Sequence, residues 1–298
     1  MAIYQTNNIE VPMKANYLSE PNLYNECMLL MDSCFPGVKV MADKGKMHNA
    51  HWDKSSTPFI MRQNHEVIAH LGILPFEFII QEKHYQGAAL HGICTKQEFR
   101  RKGLFRQLMQ EALEYVRQHF YFAFMFTDKP YLYEQFGFKA VKEYDFIYDY
   151  TPQNNQNNKV RMLDLDDSRD LALLQSHYQN RIPLSKAVSI INETTVATLN
   201  ALHMPVYYLE DYDVLVVYQM KDHILYVKDI IAIKPCDLNS ILNCIGNDAT
   251  KIILQFIPDR FLTLLFNPVE ALTDGCIMIS QDFDLKCDYF RYPEPQRC

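Results

Sequence analysis

Leu90-His91-Gly92-Ile93-Cys94-Thr95, then Arg100-Arg101-Lys102-Gly103-Leu104-Phe105, then Tyr133-Glu134-Gln135-Phe136-Gly137-Phe138 are the segments that decide how this chain is read. The first is an apolar run of strand length. The second opens a helix: from Leu104 to Phe120, residues Leu104, Phe105, Leu108, Met109, Ala112, Leu113 and Val116 recur at helical spacing, opposite Gln107, Gln110, Glu111, Glu114 and Arg117. A strand running into a helix through a basic, glycine-containing turn is a place to hold phosphate. The first amides of the helix have no partner within it, and the helix dipole adds partial positive charge. Gly103 removes the side chain that would keep a pyrophosphate off the main chain, and Arg100, Arg101 and Lys102 supply charge, with Arg106 one turn further on.

Working outward, Ser19 is placed to cap a helix reaching Cys34, ended by Phe35-Pro36-Gly37. Strand-like runs follow at Glu66–Leu74, Phe76–Glu82 and Ala88–Thr95, separated by Pro75 and by a turn at His84–Gly87. Tyr121–Phe126 reads as a buried strand, Pro130–Phe136 as a short helix stopped by Gly137, and Phe138–Tyr150 as a final strand or hairpin. The polar stretch from Thr151 to Asn158 has no apolar period and reads as a linker. Beyond it come helices at Asp167–Asn180 and Ser185–Leu202 and strands at Val206–Leu209, Val214–Met220 and Ile224–Ile233. A helix at Leu238–Ile245 capped by Asp237 and a strand at Lys251–Ile257 complete the order. Strand, helix and strand thus recur in the order of Ala88–Phe126, which points to a duplicated α/β (α+β) fold.

The chain has 298 residues, 48% of them hydrophobic and 22% charged, a length suited to two domains. Met1–Lys14 carries no signal-peptide core, and no stretch reaches the roughly 20 apolar residues that span a bilayer. The expected location is therefore the cytoplasm, with no membrane partner. The eight cysteines form no Cys-x-x-Cys pair and read as reduced thiols. No metal is expected: His48 and His51 have a ligand-like spacing but only Asp53 beside them. Residues 1–150 hold 16 basic and 17 acidic side chains (net −1), leaving 13 and 19 (net −6) for the remainder. That balance disfavours nucleic acid and mildly favours a cationic substrate.

Thr95 to Phe105, followed by Leu108-Met109, resembles the acetyl-coenzyme A signature of the GNAT acyltransferase superfamily, whose core is Gln/Arg-x-x-Gly-x-Gly/Ala. Arg100 and Gly103 fit it, whereas Phe105 stands where a small residue is usual. The order of strand, basic turn and Tyr-x-x-x-Gly-Phe is similar to the branch containing the enhanced intracellular survival acetyltransferases. The resemblance implies two tandem GNAT-like domains, each a mixed, mostly antiparallel sheet flanked by helices. Residues 1–150 would be catalytic, 151–159 a linker, and 160–298 a degenerate second domain lacking the sterol-carrier-like third domain of that branch. In the second half the corresponding turn, Lys234-Pro235-Cys236-Asp237-Leu238, has neither arginine nor glycine and is not expected to bind coenzyme A.

The resemblance further implies an N-acetyltransferase moving an acetyl group from acetyl-CoA to a primary amine of a small cationic molecule or a peptide, in a ternary complex. Main-chain groups at Cys94 and Thr95 would hold the pantetheine arm. Arg100, Arg101, Lys102, Gly103, Leu104 and Phe105 would hold the pyrophosphate. Tyr133 would be the general acid, with Tyr131 as its alternative, and His91 or Glu77 the base, with His70 a third candidate. In the same branch a chain-terminal carboxylate is implicated, and here the tail Tyr292–Arg297 leads to Cys298. Acceptor specificity is expected from Lys44–Ser56, which includes Trp52, and from the cleft between the halves. The competing expectation is a non-catalytic acyl-CoA sensor or interaction module, and an oligomer is compatible with either.

Overall fold

The computed structural model describes residues 9–152, 159–261 and 264–298. Most of the expected linker, 153–158, lies outside the described residues. The first half contains β1 (Met13–Lys14), α1 (Leu23–Cys34), α2 (Val38–Met47), α3 (Trp52–Ser55), β2 (Thr57–Gln63), β3 (Glu66–Ile80), β4 (Lys83–Thr95), α4 (Leu104–His119), β5 (Phe122–Thr127), β6 (Phe138–Val141) and β7 (Tyr144–Asp149). The second contains β8 (Val160–Met162), α5 (Ser168–Asn180), β9 (Val188–Ile191), α6 (Thr195–Ala201), β10 (Val206–Leu209), β11 (Val214–Lys221), β12 (Ile224–Ala232), α7 (Leu238–Ile245), β13 (Lys251–Leu254), β14 (Asn267–Glu270) and β15 (Cys276–Ser280).

Among the described residues these strands form two sheets with the same local plan. One runs β1-β2-β3-β4-β5-β15-β6, with β9 added to β3; the other runs β14-β7-β13-β12-β11-β10-β8. In each, an antiparallel meander leads to a parallel pair joined by a helix: β4 and β5 through α4, β12 and β13 through α7. The parallel pairing needs such a crossover, because a tight turn cannot return a strand in the same direction. The strand beyond each pair comes from the opposite half. β15 inserts between β5 and β6, and β7 inserts between β13 and β14. Phe138–Tyr150 is therefore not a hairpin, since β6 and β7 belong to different sheets.

Three other expectations are corrected. Glu66–Ile80 is one strand running through Pro75: pairing with β2 ends at Ile73 and pairing with β9 begins at Glu77, so the proline falls where no strand covers that edge. The turn into β4 is Gln81-Glu82, both at positive φ, rather than His84–Gly87. Within Ser185–Leu202 only Thr195–Ala201 is helical, because Val188–Ile191 is taken up as the edge strand β9. Two boundaries also move: α1 starts at Leu23 after Asn22 instead of at Ser19, and Pro130–Phe136 is two 3-10 turns ending at Gly137 in the left-handed region.

The sheets share the largest core. Phe76, Phe78 and Phe124 of the first pack with Val216, Leu225 and Ile252 of the second. α4 buries Leu104, Leu108, Met109, Ala112 and Val116 on the other face of the first sheet. Burying each large aliphatic there contributes about 2 kcal/mol, so a charge at Leu108 would detach the helix.

Candidate functional site

The pairing of β4 with β5 stops at Ala89 and Phe124, yet both strands continue, to Thr95 and Thr127. They splay because β4 carries an extra residue. His70 pairs Cys94 while Gly72 pairs His91, a bulge in which Gly92 takes φ 56°. His70 pins it. The Gly92 carbonyl can only accept, so the His70 Nδ1–H donates to it at 2.8 Å, and Nε2 then accepts from the Tyr17 hydroxyl at 2.8 Å. Burial holds His70 neutral, with its pKa pushed down from 6.5 to about 4.

At the far end of the splay lies the basic turn. Arg101 and Gly103 both take positive φ, 63° and 82°, and α4 starts with no side chain capping its first amides. A Cβ added at Gly103 would meet nothing within 4 Å. The hollow there, about 290 Å³, is lined by Thr95, Arg100, Arg101, Gly103, Phe105 and Arg106 among others. This is a cradle of open amides and cationic groups of the size and charge a pyrophosphate requires. Lys102 places its ammonium over the Phe99 ring at 4.7 Å, and Cys94 packs its side chain into the core beside α1. Arg100 is partly engaged, donating from Nε to the Thr95 carbonyl at 3.1 Å.

Replacing Gly103 with valine is expected to weaken acetyl-CoA binding about tenfold in a calorimetric titration. A β-branched residue is strained at this φ by about 1–2 kcal/mol, and its methyl groups would occupy the phosphate side of the turn. A dissociation constant that does not move would remove the turn from the binding site.

Tyr133 follows β5 at the junction of the two 3-10 turns. Its ring meets Phe105 edge-on at 5.7 Å, and Phe105 meets Phe136 in the same way at 5.4 Å. Phe105, the departure from the family's small residue, thus ties the tyrosine to the start of α4. Burial, then the Asp128 carboxylate, raises the phenol's pKa, so it is protonated at neutral pH. Tyr131 is 66% exposed and turned away.

Tyr133 and His91 line one cavity of about 500 Å³ that begins in the splay and is closed by both halves of the chain. Trp52, α1, α2, α6 and the tail at Arg297 and Cys298 complete it. The tail is held by bonds to both halves. Glu143 accepts from the Arg297 guanidinium at 2.6 and 2.7 Å and from the Tyr292 N–H at 3.0 Å, while Asn200 donates to the carbonyls of Pro295 and Arg297. Nothing in the sequence of the tail advertises this, since its partners lie more than 90 residues away.

Residues 19–141 match the family model described as an acetyltransferase (GNAT) domain. Similar solved structures extend the likeness of fold over both halves of the chain. A probable N-acyltransferase from Enterococcus faecalis V583 has 11% identity and TM-score 0.61, covering 91% of this chain and 72% of that one. Eis1 from Mycobacterium abscessus has 12% identity and TM-score 0.61, covering 91% and 73%. A GCN5-related N-acetyltransferase from Kribbella flavida has 16% identity and TM-score 0.58, covering 92% and 71%. Among curated proteins there is no sequence match.

Within the first half the candidate bases separate. His91 reaches the cavity, stacks edge-on against Trp52 at 4.6 Å and shares a 2.8 Å hydrogen bond between Nε2 and Ser56 Oγ. Burial, and then His70, push its pKa well below the ordinary histidine value. Gly72 makes room for this ring, since a Cβ there would lie 2.2 Å from it. Glu77 pairs with Ile191 on β9, accepts from Asn192, and does not line the cavity. His70 has both ring nitrogens committed, Nδ1 to the Gly92 carbonyl and Nε2 to the Tyr17 hydroxyl. His48, one of the two ligand-spaced histidines, is likewise bonded to the Lys44 carbonyl and placed 3.0 Å from Asp166.

The buried histidines give the fold a pH dependence whose sign is fixed. Between pH 6.5 and about 4 the unfolded chain binds a proton at His70 that the folded chain does not, so stability falls as the pH drops through that window. For His70 alone the loss is roughly 3 kcal/mol. Melting temperatures measured from pH 7 to 4 are expected to fall, and His70→Gln to flatten part of that slope. An unchanged slope would mean the ring is not neutral in the fold.

The equivalent places in the second sheet are closed. Asp237 caps α7 through the Ser240 N–H at 2.9 Å, putting a carboxylate where a phosphate would sit. Beside the β12 strand, Arg181 pairs bidentately with Asp229 at 2.8 and 2.9 Å and donates to the Ile230 carbonyl, while the Ile182 N–H bonds Ala232. Arg181 and Asp229 are 2% and 0% exposed at their side chains. Among the described residues no helix is long and apolar enough to cross a membrane.

Proposed function

We propose that the chain is an acetyl-CoA-dependent N-acetyltransferase acting on a primary amine, either a small molecule or a peptide, by direct attack in a ternary complex. Catalysis is assigned to residues 1–150, and residues 160–298, as a degenerate second GNAT-like domain, close the acceptor side of the cavity. The observation that carries this reading is the continuity of phosphate cradle, splayed strands and Tyr133 along one face of a GNAT acetyltransferase domain.

In this reading the amides from Arg101 to Phe105 hold the pyrophosphate, and the free edge of β4 at Cys94 and Thr95 orients the pantetheine arm. Acetyl-CoA supplies an activated acyl group as a thioester. The Ile93–Thr95 main chain, displayed by the Gly92 bulge, is placed to polarise the acyl carbonyl. Tyr133 donates its proton to the departing sulfur, and His91, with Ser56 behind it, is the base candidate on the acceptor side. Its lowered basicity means that the amine enters best in its neutral form. The unpaired thiols fit a reducing, cytoplasmic setting.

The test is release of free coenzyme A, resolved by chromatography, with acetyl-CoA and a panel of amines. Amine-dependent release is expected. Stabilisation by acetyl-CoA without release for any amine would instead support the sensor reading, and absence of stabilisation would remove coenzyme A from the molecule altogether.

A further inference from the structure

The cavity beyond Tyr133 is walled by hydrocarbon and thioether, with Met28, Met31, Met41, Trp52, Met125 and Leu199 on its sides. Asp128 is the one acidic side chain among the described residues of that wall, and it lies at the solvent-exposed rim, its side chain 70% exposed, with Lys129 at 3.4 Å. The other cationic side chain there, Arg297, is occupied by Glu143. A polycation entering this space would lose hydration at several charges and find a single exposed carboxylate, at the rim, in return. An apolar body would gain, and thioethers adapt to irregular shapes.

Resting on the acyl-transfer reading above, we propose that the acceptor is a monoamine whose amino group is borne on an apolar body, the hydrocarbon lying against the methionine wall and the nitrogen directed toward the strand splay. The chain's net charge pointed to a cation. The charge is elsewhere, however, and the wall a substrate touches is apolar. The reaction is balanced by residues already described: the neutral amine nitrogen forms the new C–N bond, the C–S bond breaks, the sulfur takes the Tyr133 proton, and the nitrogen gives up one proton toward His91. The products are an N-acylated apolar amine and coenzyme A.

The experiment compares ethylamine, n-butylamine, n-hexylamine and spermidine as acceptors for the full chain with saturating acetyl-CoA. Each added methylene is expected to raise kcat/KM by about threefold, on the order of 100-fold from ethylamine to n-hexylamine, with spermidine far below n-hexylamine. Spermidine matching n-hexylamine, or no gain with chain length, would overturn this inference while leaving acetyl transfer standing. Acetyl-CoA binding without turnover of any amine would overturn both. Phe35→Asp, at the half-exposed mouth of the cavity, keeps the test open if core variants unfold. It is expected to lower the n-hexylamine to spermidine ratio about tenfold, and a ratio that stays put would remove the hydrocarbon from this cavity.

Discussion

Tyr133→Phe is expected to lower kcat for acetyl transfer by at least about 100-fold while leaving acetyl-CoA affinity within about twofold. The phenol's hydroxyl is all that the substitution removes. The ring, its edge-on contact with Phe105 and the 3-10 turn it sits on all remain. The proton is available because burial and Asp128 raise the phenol's pKa, so at neutral pH essentially every molecule carries it. Loss of that donor leaves the thiolate to depart unprotonated, which is a transition-state cost and not a binding one. Pre-steady-state mixing gives the chemical step directly, and calorimetry gives the affinity. A variant whose turnover is intact would move the acid elsewhere, whereas one that loses affinity in parallel would make Tyr133 a wall of the binding site.

The second large effect is on stability. Asp229→Ala is expected to destabilise the fold by about 3–5 kcal/mol, read from urea unfolding, because it leaves the Arg181 guanidinium buried without its carboxylate. Replacing both partners with apolar residues of similar volume, as in Arg181→Met with Asp229→Leu, is expected to recover most of that loss. The pair's Coulombic gain roughly offsets its own desolvation, so breaking it costs more than removing it. If the single and double variants are equally destabilised, the pair contributes through packing. Either way acetyl-CoA binding should persist in whatever fraction is folded, since the pair closes the second sheet and lies outside the cradle.

The half-chain elements that depend on local sequence were legible. α4 followed from its apolar period, α7 from Asp237, and the open basic turn before α4 from Gly103 and the arginines. Tyr133 and His91 line one cavity and Glu77 does not, because its strand position pairs with β9 and nothing local announces that pairing. Pro75 looked like a strand end because a proline lacks a donor. It is tolerated because neither neighbour covers that edge, which is a fact about β2 and β9. The exchange of β7 and β15 was equally hidden, since Tyr144–Asp149 and Cys276–Ser280 carry the pattern of any strand and partners are chosen by the whole fold. The apolar wall was not legible for a related reason: net charge is a property of the surface, whereas the wall is assembled from α1, α2, α6 and the tail.

The exchange also constrains how the molecule comes into being. As the chain leaves the ribosome, β5 is made some 150 residues before β15, the strand that lies against it. Until Ser280 has emerged, the edge of β5 opposite the splay is an open hydrogen-bonding template, and β6 has no place to dock. A nascent first half would thus present β5 with one side unprotected, so the first sheet is completed last and not first. Dividing the gene at the linker would yield two fragments that each lack an interior strand, and co-expressed they would be expected to reunite by trading those strands in trans.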